Sequence, residues 1–560
     1  MGRLDLDSRP KNIILNSSMK PPLRTISIAA LSLFMAPIFG GCPSGRSVGP
    51  IVRPFLESTV SASDSLRVQL PNEPITLDPT LSVDGVSLQV LNNIDEGLMG
   101  YSSEGELGNR LAESYRVSKD GKKYVFILRN GARWSDGQAI TAQDFVTAFR
   151  RTLTAKTLSR MAAIYFGIRN AKAFYDGKVT EKALGVREEK GALVLELEKR
   201  LPSFLHSLTL PPTFPLRRDV LDAHAGSWPE SGPTSGPYKI AFHKFEQAII
   251  LEKNPQYYGY SGSLPQATIR QIEYKIADES TAMNLFDRGM LDIVTRVSAL
   301  DLPRLQRDGR LQVSPFLATY YLSFNCRKPP FNDKVFRRAV AGSIRRAELV
   351  QILGGGELPA WSWIPKGLEG YMPYREPAVI FADAIQQITQ QQQMPVGKSH
   401  VKRVPIQATF DTSARNLTIM EKVQQDLSND LKVSLNLTPL SWQAYHHSIH
   451  TDPAPIFRYG WMAPFLDPIT HLRVFMTGDP NNFSGFSNLQ YDALVQEIET
   501  LAPGSRRESK IFAAQKVLLE EEAAVIPIYH YIQNTAVSVR VKKFKINSFG
   551  VIQFRDLRLR

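Results

Sequence analysis

The stretch "LAESYRVSKDGKKYVFILRNGARWSDGQAITAQDFVTAFRR", residues 111–151, predicts a strand followed by a tight turn. Tyr124, Phe126 and Leu128 alternate with their neighbours, which is the pattern of a strand with one buried face. The letters "WSDG" at 134–137 then supply residues that favour a turn. A short strand therefore ends where the turn begins.

The second half of the same stretch predicts an amphipathic helix. Thr141 and Asp144 have the spacing of a capping box, in which the two ends of the first helical turn satisfy each other's hydrogen bonds. Phe145, Phe149 and Leu153 recur on one side of the helix that follows. Strands and helices of this kind alternate along the chain beyond residue 65, which predicts an α/β fold.

Length and composition narrow the class of protein. The chain has 560 residues, too many for a single hydrophobic core, so two or three domains are expected. Its 67 basic and 54 acidic residues give a net charge of +13, but the Lys and Arg are scattered rather than clustered. We therefore predict no nucleic-acid binding. With Cys42 and Cys326 as the only cysteines, neither a disulfide framework nor a Cys-based zinc site is predicted.

The amino-terminal 41 residues have the features of an export signal. Lys20 and Arg24 precede an apolar run of about 14 residues, which is shorter than a membrane span needs, and two glycines lead to Cys42. This arrangement resembles a bacterial lipobox, in which the cysteine is acylated after cleavage, and it predicts lipidation at Cys42. Met19 suits the start of such a signal better than Met1. An unprocessed hydrophobic anchor is the open alternative.

Residues 42–65 are rich in Pro, Gly and Ser and predict a flexible tether. Within them, residues 45–49 match the G-x-S-x-G pattern of hydrolase nucleophiles. That motif requires a strand before the serine and a helix after it, whereas here Pro43 and Pro50 flank it. We attribute the match to chance and predict no catalytic residues, no enzyme activity and no cofactor.

The body of the chain resembles the bacterial extracellular solute-binding proteins of the oligopeptide and dipeptide transporter family, known as family 5. The resemblance begins with residues 111–151 and continues in the family's order to the end of the chain. The other matching segments are "EPITLDP" (73–79), "DEGLMGY" (95–101), "SGPYKI" (235–240), "KNPQYYG" (253–259), "YLSFNCRKPPFNDKVFRRAV" (321–340), "GWMAPFLDP" (460–468), "NNFSGFSNLQYDALV" (481–495) and "AAVIPIYHY" (523–531).

The resemblance implies a two-lobed periplasmic-binding-protein-like fold of type II, with an extra domain and a hinge between the lobes. Lobe I would comprise residues 66–100, 214–310 and 528–560, the extra domain 101–213, and the other lobe 311–527. Such a protein is expected to act as a monomer that closes on a short peptide and docks on an ABC permease in the inner membrane. With a lipid on Cys42 it would be periplasmic and anchored to a membrane, or at the cell surface where there is no outer membrane.

The resemblance also implies where the ligand binds. The segment "RYGWMAPFLDP" (458–468) would line the cleft, with Arg458 meeting a ligand carboxylate and the backbone beside Gly460 and Trp461 pairing with the ligand as an added strand. The predicted ligand contacts are Arg458, Gly460, Trp461, Met462, Pro464 and Asp467. For Arg458 a structural ion pair, and for Trp461 a place in the core, are the alternatives.

Pro464 departs from the family's pattern. It stands where the family has an aspartate that pairs with the peptide's α-ammonium, and a proline supplies no charge. A ligand with a blocked or unusual amino terminus, such as a cell-wall fragment, is therefore predicted. Asp467 could replace the missing anion, or it could hold the turn of its own segment.

Other hypotheses remain open at this stage. His446 and His450 are four residues apart and could chelate a metal from one helix face, which would suit a binder of a metal chelate or haem. We favour a solvated histidine face on an outer helix, and predict no metal site. An adhesin or scaffold lipoprotein that has kept the fold without a ligand is the remaining alternative.

Overall fold

Strands and helices alternate along the chain, as the sequence predicts. The computed structural model describes residues 64–261, 267–393 and 405–560. The strands are β1 (Ser65–Leu70), β2 (Met99–Tyr101), β3 (Leu107–Asn109), β4 (Ala112–Val117), β5 (Lys123–Leu128), β6 (Val186–Glu189), β7 (Ala192–Glu196), β8 (Tyr238–Lys244), β9 (Ala248–Lys253), β10 (Gln271–Ile276), β11 (Ile293–Val294), β12 (Leu311–Phe324), β13 (Leu358–Pro359), β14 (Ile406–Asp411), β15 (Leu435–Leu440), β16 (Ile456–Met462), β17 (Val525–Val537), β18 (Val541–Lys542) and β19 (Arg558–Leu559).

Helices connect most of these strands. They are α1 (Gly85–Ile94), α2 (Ala142–Leu153), α3 (Ala171–Tyr175), α4 (Phe204–Ser207), α5 (Arg218–Ala223), α6 (Glu279–Asp287), α7 (Leu302–Arg307), α8 (Lys334–Ser343), α9 (Arg346–Leu353), α10 (Pro377–Ile380), α11 (Ala382–Gln393), α12 (Ala414–Leu431), α13 (Trp442–Thr451), α14 (Ile469–Leu472), α15 (Leu489–Ile498) and α16 (Ser505–Lys516). None of the helices in the three described segments is long and apolar enough to cross a membrane.

The main sheet has two halves joined by two long strands. Its order is β15-β14-β16-β12-β17-β11-β1-β10-β9-β8, with β13 also paired to β17. The antiparallel strands β12 and β17 run side by side for most of their length. At its carboxyl end β17 pairs with β11, and β12 pairs with β16 at the other end. These strands are the two chain crossings between the halves.

A separate four-stranded sheet, in the order β4-β5-β7-β6, packs against α2. It confirms the strand and the helix predicted from the opening stretch. In β5 Tyr124 and Phe126 are buried, while Leu128 is half-buried. At the start of α2 the Thr141 N–H donates to the Asp144 carboxylate at 2.8 Å, which closes the predicted capping box. This sheet lies within the predicted extra domain, whose bounds remain a prediction.

The structure describes only one of the two cysteines. Cys42, the export signal and nearly all of the tether lie outside the described residues. Cys326 follows β12 as a free, half-buried thiol whose pKa burial raises to about 11. Such a thiol is rarely ionised at neutral pH, which fits a small buried residue rather than a reactive one.

Candidate ligand-binding cleft

A cavity of about 1150 Å³ lies where three parts of the chain meet. One wall comes from α1, β2 and the carboxyl-terminal segment near Phe549. A second comes from the region of the four-stranded sheet, including Met161 and Phe166. The third comes from α13, β16 and the loops that follow. A cavity of this size and mixed lining is typical of a site for a small ligand.

Strand β16 brings part of the predicted ligand segment to the cavity. Tyr459, Trp461 and Met462 line it, and the Trp461 indole N–H donates to the Thr470 carbonyl at 2.9 Å, which fixes the ring. On one side β16 pairs with β12 throughout residues 456–462. On the other side β14 pairs with it only at Ile456 and Phe457. The backbone from residue 458 to residue 462 therefore has a strand partner on one side only among the described residues.

The loop after β16 closes part of the cavity. Pro464 lines the cavity and brings no charge to it. Two residues later, the Leu466 N–H donates to the Tyr101 hydroxyl of the opposite wall at 3.0 Å. Tyr101 thus joins the wall containing β2 to the wall containing β16.

Arg458 is held in an ion pair. Its guanidinium pairs with Asp411 at the end of β14, both side chains being largely buried, and lies 5.7 Å from the ring centres of Tyr320 and Tyr445. It is not among the residues that line the cavity, and neither is Gly460. This geometry favours the structural alternative for Arg458. Its contact with a ligand carboxylate remains a prediction.

Asp467 is held in a second ion pair, with Arg507 of α16 at 2.5 Å. Its carboxylate also accepts the Ile469 N–H at 2.9 Å, which fixes the start of α14. Burial raises the pKa of Asp467, and Arg507 opposes this rise. Asp467 is buried outside the cavity lining, which favours its role in holding the turn; a direct ligand contact remains a prediction.

His446 and His450 lie beside the cavity rather than on an outer face of the lobe. His450 is exposed and His446 half-buried, as on a solvated face, but both residues also line the cavity; their ring centres are 4.2 Å apart, and His450 packs on Phe483 at 4.6 Å. The pattern of α13 alone could not show which neighbour this helix faces. No group of three or more His, Cys, Asp or Glu residues within the described segments could hold a metal ion.

Most charged groups of the cavity wall are already paired with protein groups. Glu96 pairs with Arg555 and accepts hydrogen bonds from the hydroxyls of Tyr257 and Tyr258. Asp95 accepts from both the N–H and the hydroxyl of Ser235, yet burial raises its pKa to about 6. The carboxylates of the wall near α1 are thus already bound by other groups of the protein.

Two cations of the lining have no ion-pair partner in the described part of the chain, namely Arg110 and Arg160. Arg110 lies between β3 and β4, and Arg160 lies after α2. We did not predict either from sequence, because no local pattern indicates that an isolated arginine faces a cavity formed by distant segments.

The chain matches a known family model over much of its length. The model of the bacterial extracellular solute-binding proteins, family 5 middle, matches residues 106–483. Among curated proteins, the chain is 29% identical over 475 residues to the Escherichia coli "Probable deoxycholate-binding periplasmic protein YgiS", covering 82% of this chain and 86% of that protein. It is 28% identical over 491 residues to the Escherichia coli periplasmic murein peptide-binding protein MppA, covering 86% and 90%.

Solved structures show the same architecture. The structure of the Escherichia coli murein tripeptide-binding protein MppA superposes with a TM-score of 0.77 at 27% identity, over 89% of this chain and 99% of that one. The Haemophilus influenzae oligopeptide-binding protein OppA in complex with a peptide gives a TM-score of 0.75 at 23% identity, which bears on the fold alone. The predicted two-lobed α/β fold is therefore confirmed.

Proposed function

This chain belongs to the bacterial extracellular solute-binding proteins of family 5, and on that premise we propose that it captures a short peptide in the cleft and delivers it to an ABC permease. Members of the family are transport components that bind solutes rather than convert them. We propose accordingly that the cleft performs no chemistry and that closure of the lobes presents the ligand to the permease.

The observation that carries this proposal is the half-open edge of β16. Its backbone from residue 458 to residue 462 has a strand partner on one side only among the described residues, and Tyr459, Trp461 and Met462 of the same strand line the cavity. A free strand edge offers N–H and C=O groups in the spacing of an extended peptide, which can add to the sheet as a further strand. Small solutes without a peptide backbone cannot use such an edge in this way.

The side chains of the loop favour a peptide without a free amino terminus. Pro464 lines the cavity and supplies no anion, and Asp467 is already paired with Arg507. A ligand ammonium in the closed cleft next to this loop would lose its hydration without gaining a counter-ion there. We propose that Trp461, Met462 and Pro464 contact the ligand, and that its amino end is blocked or otherwise lacks the positive charge of a free ammonium.

The cellular setting completes the proposal. Two of the relatives above are named as periplasmic proteins. We propose that this chain is exported by its amino-terminal signal, acylated on Cys42 and tethered to a membrane as a monomer.

Calorimetry with two matched ligands tests the peptide proposal. N-acetyl-trialanine is expected to bind, whereas the same peptide with N-methylated backbone amides is expected to bind at least about tenfold more weakly, because each methyl removes a donor to β16. Mass spectrometry of small molecules released from the purified protein provides an independent check, with peptides as the expected class. Equal affinity for the two peptides would contradict binding as an added strand, and failure of both to bind would contradict the peptide proposal.

A further inference from the structure

Arg110 is a cation of the cavity wall whose hydrogen-bonding capacity is mostly unused. The guanidinium has five N–H donors, and within the described segments its side chain makes one hydrogen bond, from Nη2 to the Tyr101 carbonyl at 2.6 Å. No carboxylate of those segments forms an ion pair with it. The side chain is half-buried and lines the cavity.

The acidic groups around Arg110 are engaged elsewhere. Glu96 is bound by Arg555 and two tyrosine hydroxyls, as described above. Asp556 lies beside Arg555 at 3.9 Å. Burial and repulsion from Arg555 lower the pKa of Arg110, while Glu96 opposes this effect. The protein therefore keeps a partly desolvated cation in the wall without giving it a close counter-ion, which is costly unless a ligand provides one.

The backbone beneath Arg110 leaves room for its side chain. Its side chain lies across Gly100 of β2, where an added Cβ would lie 2.8 Å from both Cγ and Nε of Arg110. Real Cβ atoms do not approach other atoms so closely, so a side chain at this position would displace the arginine. The absence of a side chain at Gly100 thus leaves the space that the Arg110 side chain occupies.

Arg110 is linked to the loop that carries Pro464 through Tyr101. Arg110 donates to the Tyr101 carbonyl, and the Tyr101 hydroxyl accepts the Leu466 N–H, two residues after Pro464. Arg110 and Pro464 both line the cavity, so a ligand that reaches this part of it can meet a guanidinium without an ion-pair partner on one wall and an uncharged proline on the other.

We propose that Arg110 binds an anionic group of the ligand, a carboxylate at the end of the cleft next to Pro464. This inference rests on the proposed peptide function and deepens it: the ligand end there is acidic rather than merely blocked. Arg110 forms charge-assisted hydrogen bonds to that carboxylate when the lobes close. The ligand class is then a short peptide whose amino end bears an acidic substituent.

Three forms of one peptide test this inference. Trialanine is compared as the free amine, the N-acetyl form and the N-succinyl form, which places a carboxylate at the amino end. In the unmodified protein the succinyl form should bind about thirtyfold more tightly than the acetyl form. This factor is the lower end of the affinity that is lost when one partner of a desolvated charge pair is removed. In Arg110→Gln the two forms should bind about equally, and Arg110→Lys should recover part of the difference.

Arg116 offers a matched control. It is an exposed arginine of β4 outside the cavity, so Arg116→Gln removes the same charge from the protein without touching the cleft. This variant should keep the preference for the succinyl form. Gly100→Ala keeps the charge of Arg110 but displaces its side chain, and should reduce the preference if Arg110→Gln proves unstable.

The outcomes separate the two proposals. Equal binding of the acetyl and succinyl forms to the unmodified protein would overturn the anionic contact and leave the peptide function standing. A preference for the succinyl form that persists in both Arg110→Gln and Gly100→Ala would also overturn it. Failure of all three peptides to bind the unmodified protein would overturn the peptide function, and this inference with it.

Discussion

The guanidinium of Arg458 pairs with the carboxylate of Asp411, joining the neighbouring strands β16 and β14. The pair is extended by Asn416, whose side-chain amide donates to Asp411 at 3.0 Å, and by Tyr320, whose hydroxyl donates to Asn416 at 3.1 Å. The guanidinium of Arg458 is therefore bound by groups inside its own lobe. The stability of that lobe should depend on the pair.

Arg458→Ala should destabilise the fold by about 3 kcal/mol, because it leaves the Asp411 carboxylate largely buried and unpaired. Denaturation by urea measures this change. The folded fraction should bind N-acetyl-trialanine nearly as well as the unmodified protein does. Unchanged stability together with a loss of affinity of about 2 to 5 kcal/mol would instead show that Arg458 contacts a ligand carboxylate.

Two buried histidines should make the protein sensitive to acid. His471 and His530 are almost fully buried, and burial lowers the pKa of each to about 3. Below about pH 6.5 these histidines take up protons in the unfolded chain but not in the folded chain. The protein therefore has its full stability above that pH and becomes less stable as the pH drops towards 3. Together the two histidines should lower the free energy of unfolding by about 4 kcal/mol between pH 7 and pH 5.

Replacing one of these histidines isolates its contribution to the loss of stability in acid. Urea denaturation of His471→Gln at pH 7 and pH 5 should show a loss between the two pH values that is about 2 kcal/mol smaller than in the unmodified protein. His530→Gln should behave in the same way. The same loss in both variants and in the unmodified protein would mean that other groups dominate acid unfolding.

N-acetylation of a test peptide should leave its affinity unchanged or improve it, because the free ammonium would meet Pro464 rather than an anion. Pro464→Asp should reverse this preference by about tenfold, since it places a carboxylate on the cavity wall. Calorimetry on trialanine and its acetyl form measures both. A strong preference of the unmodified protein for the free amine would show that another carboxylate accepts it.

Closure of the cleft should depend in part on Tyr101. Its hydroxyl accepts the Leu466 N–H at 3.0 Å across the cavity, so Tyr101→Phe should weaken the closed state by about 1 kcal/mol. Small-angle scattering should then show a larger radius of gyration for the unliganded variant than for the unliganded unmodified protein. The variant should still become more compact when a peptide binds. We expect this closure to be a hinge motion on the microsecond to millisecond timescale. No compaction with any bound ligand would point to a static scaffold.

Cys42→Ser should abolish lipidation, because the thiol is the proposed acyl acceptor. Labelled fatty acid supplied to expressing cells should enter the unmodified protein and not the variant. Cys326→Ser serves as the control, since that cysteine lies in the folded body and should not affect labelling. Label retained in Cys42→Ser would contradict the proposed anchor.

The sequence by itself determined the local structure and the family. The strand at 123–128 and the capped helix at 142–153 follow from alternation, turn residues and the Thr141–Asp144 box, all of which act between residues close in the chain. The ordered series of family segments then determined the two-lobed fold. Both predictions required only near neighbours or a resemblance along the whole chain.

Only the tertiary structure decided which charges are free. Asp411 neutralises Arg458, Arg507 neutralises Asp467, and Glu96 is taken by Arg555 from the far end of the chain. Arg110, an ordinary arginine in the sequence, is left without an ion-pair partner among the described residues and faces the cavity. Charge pairing acts over a few ångströms in space, between segments far apart in the chain, and therefore becomes visible only once the fold has brought them together.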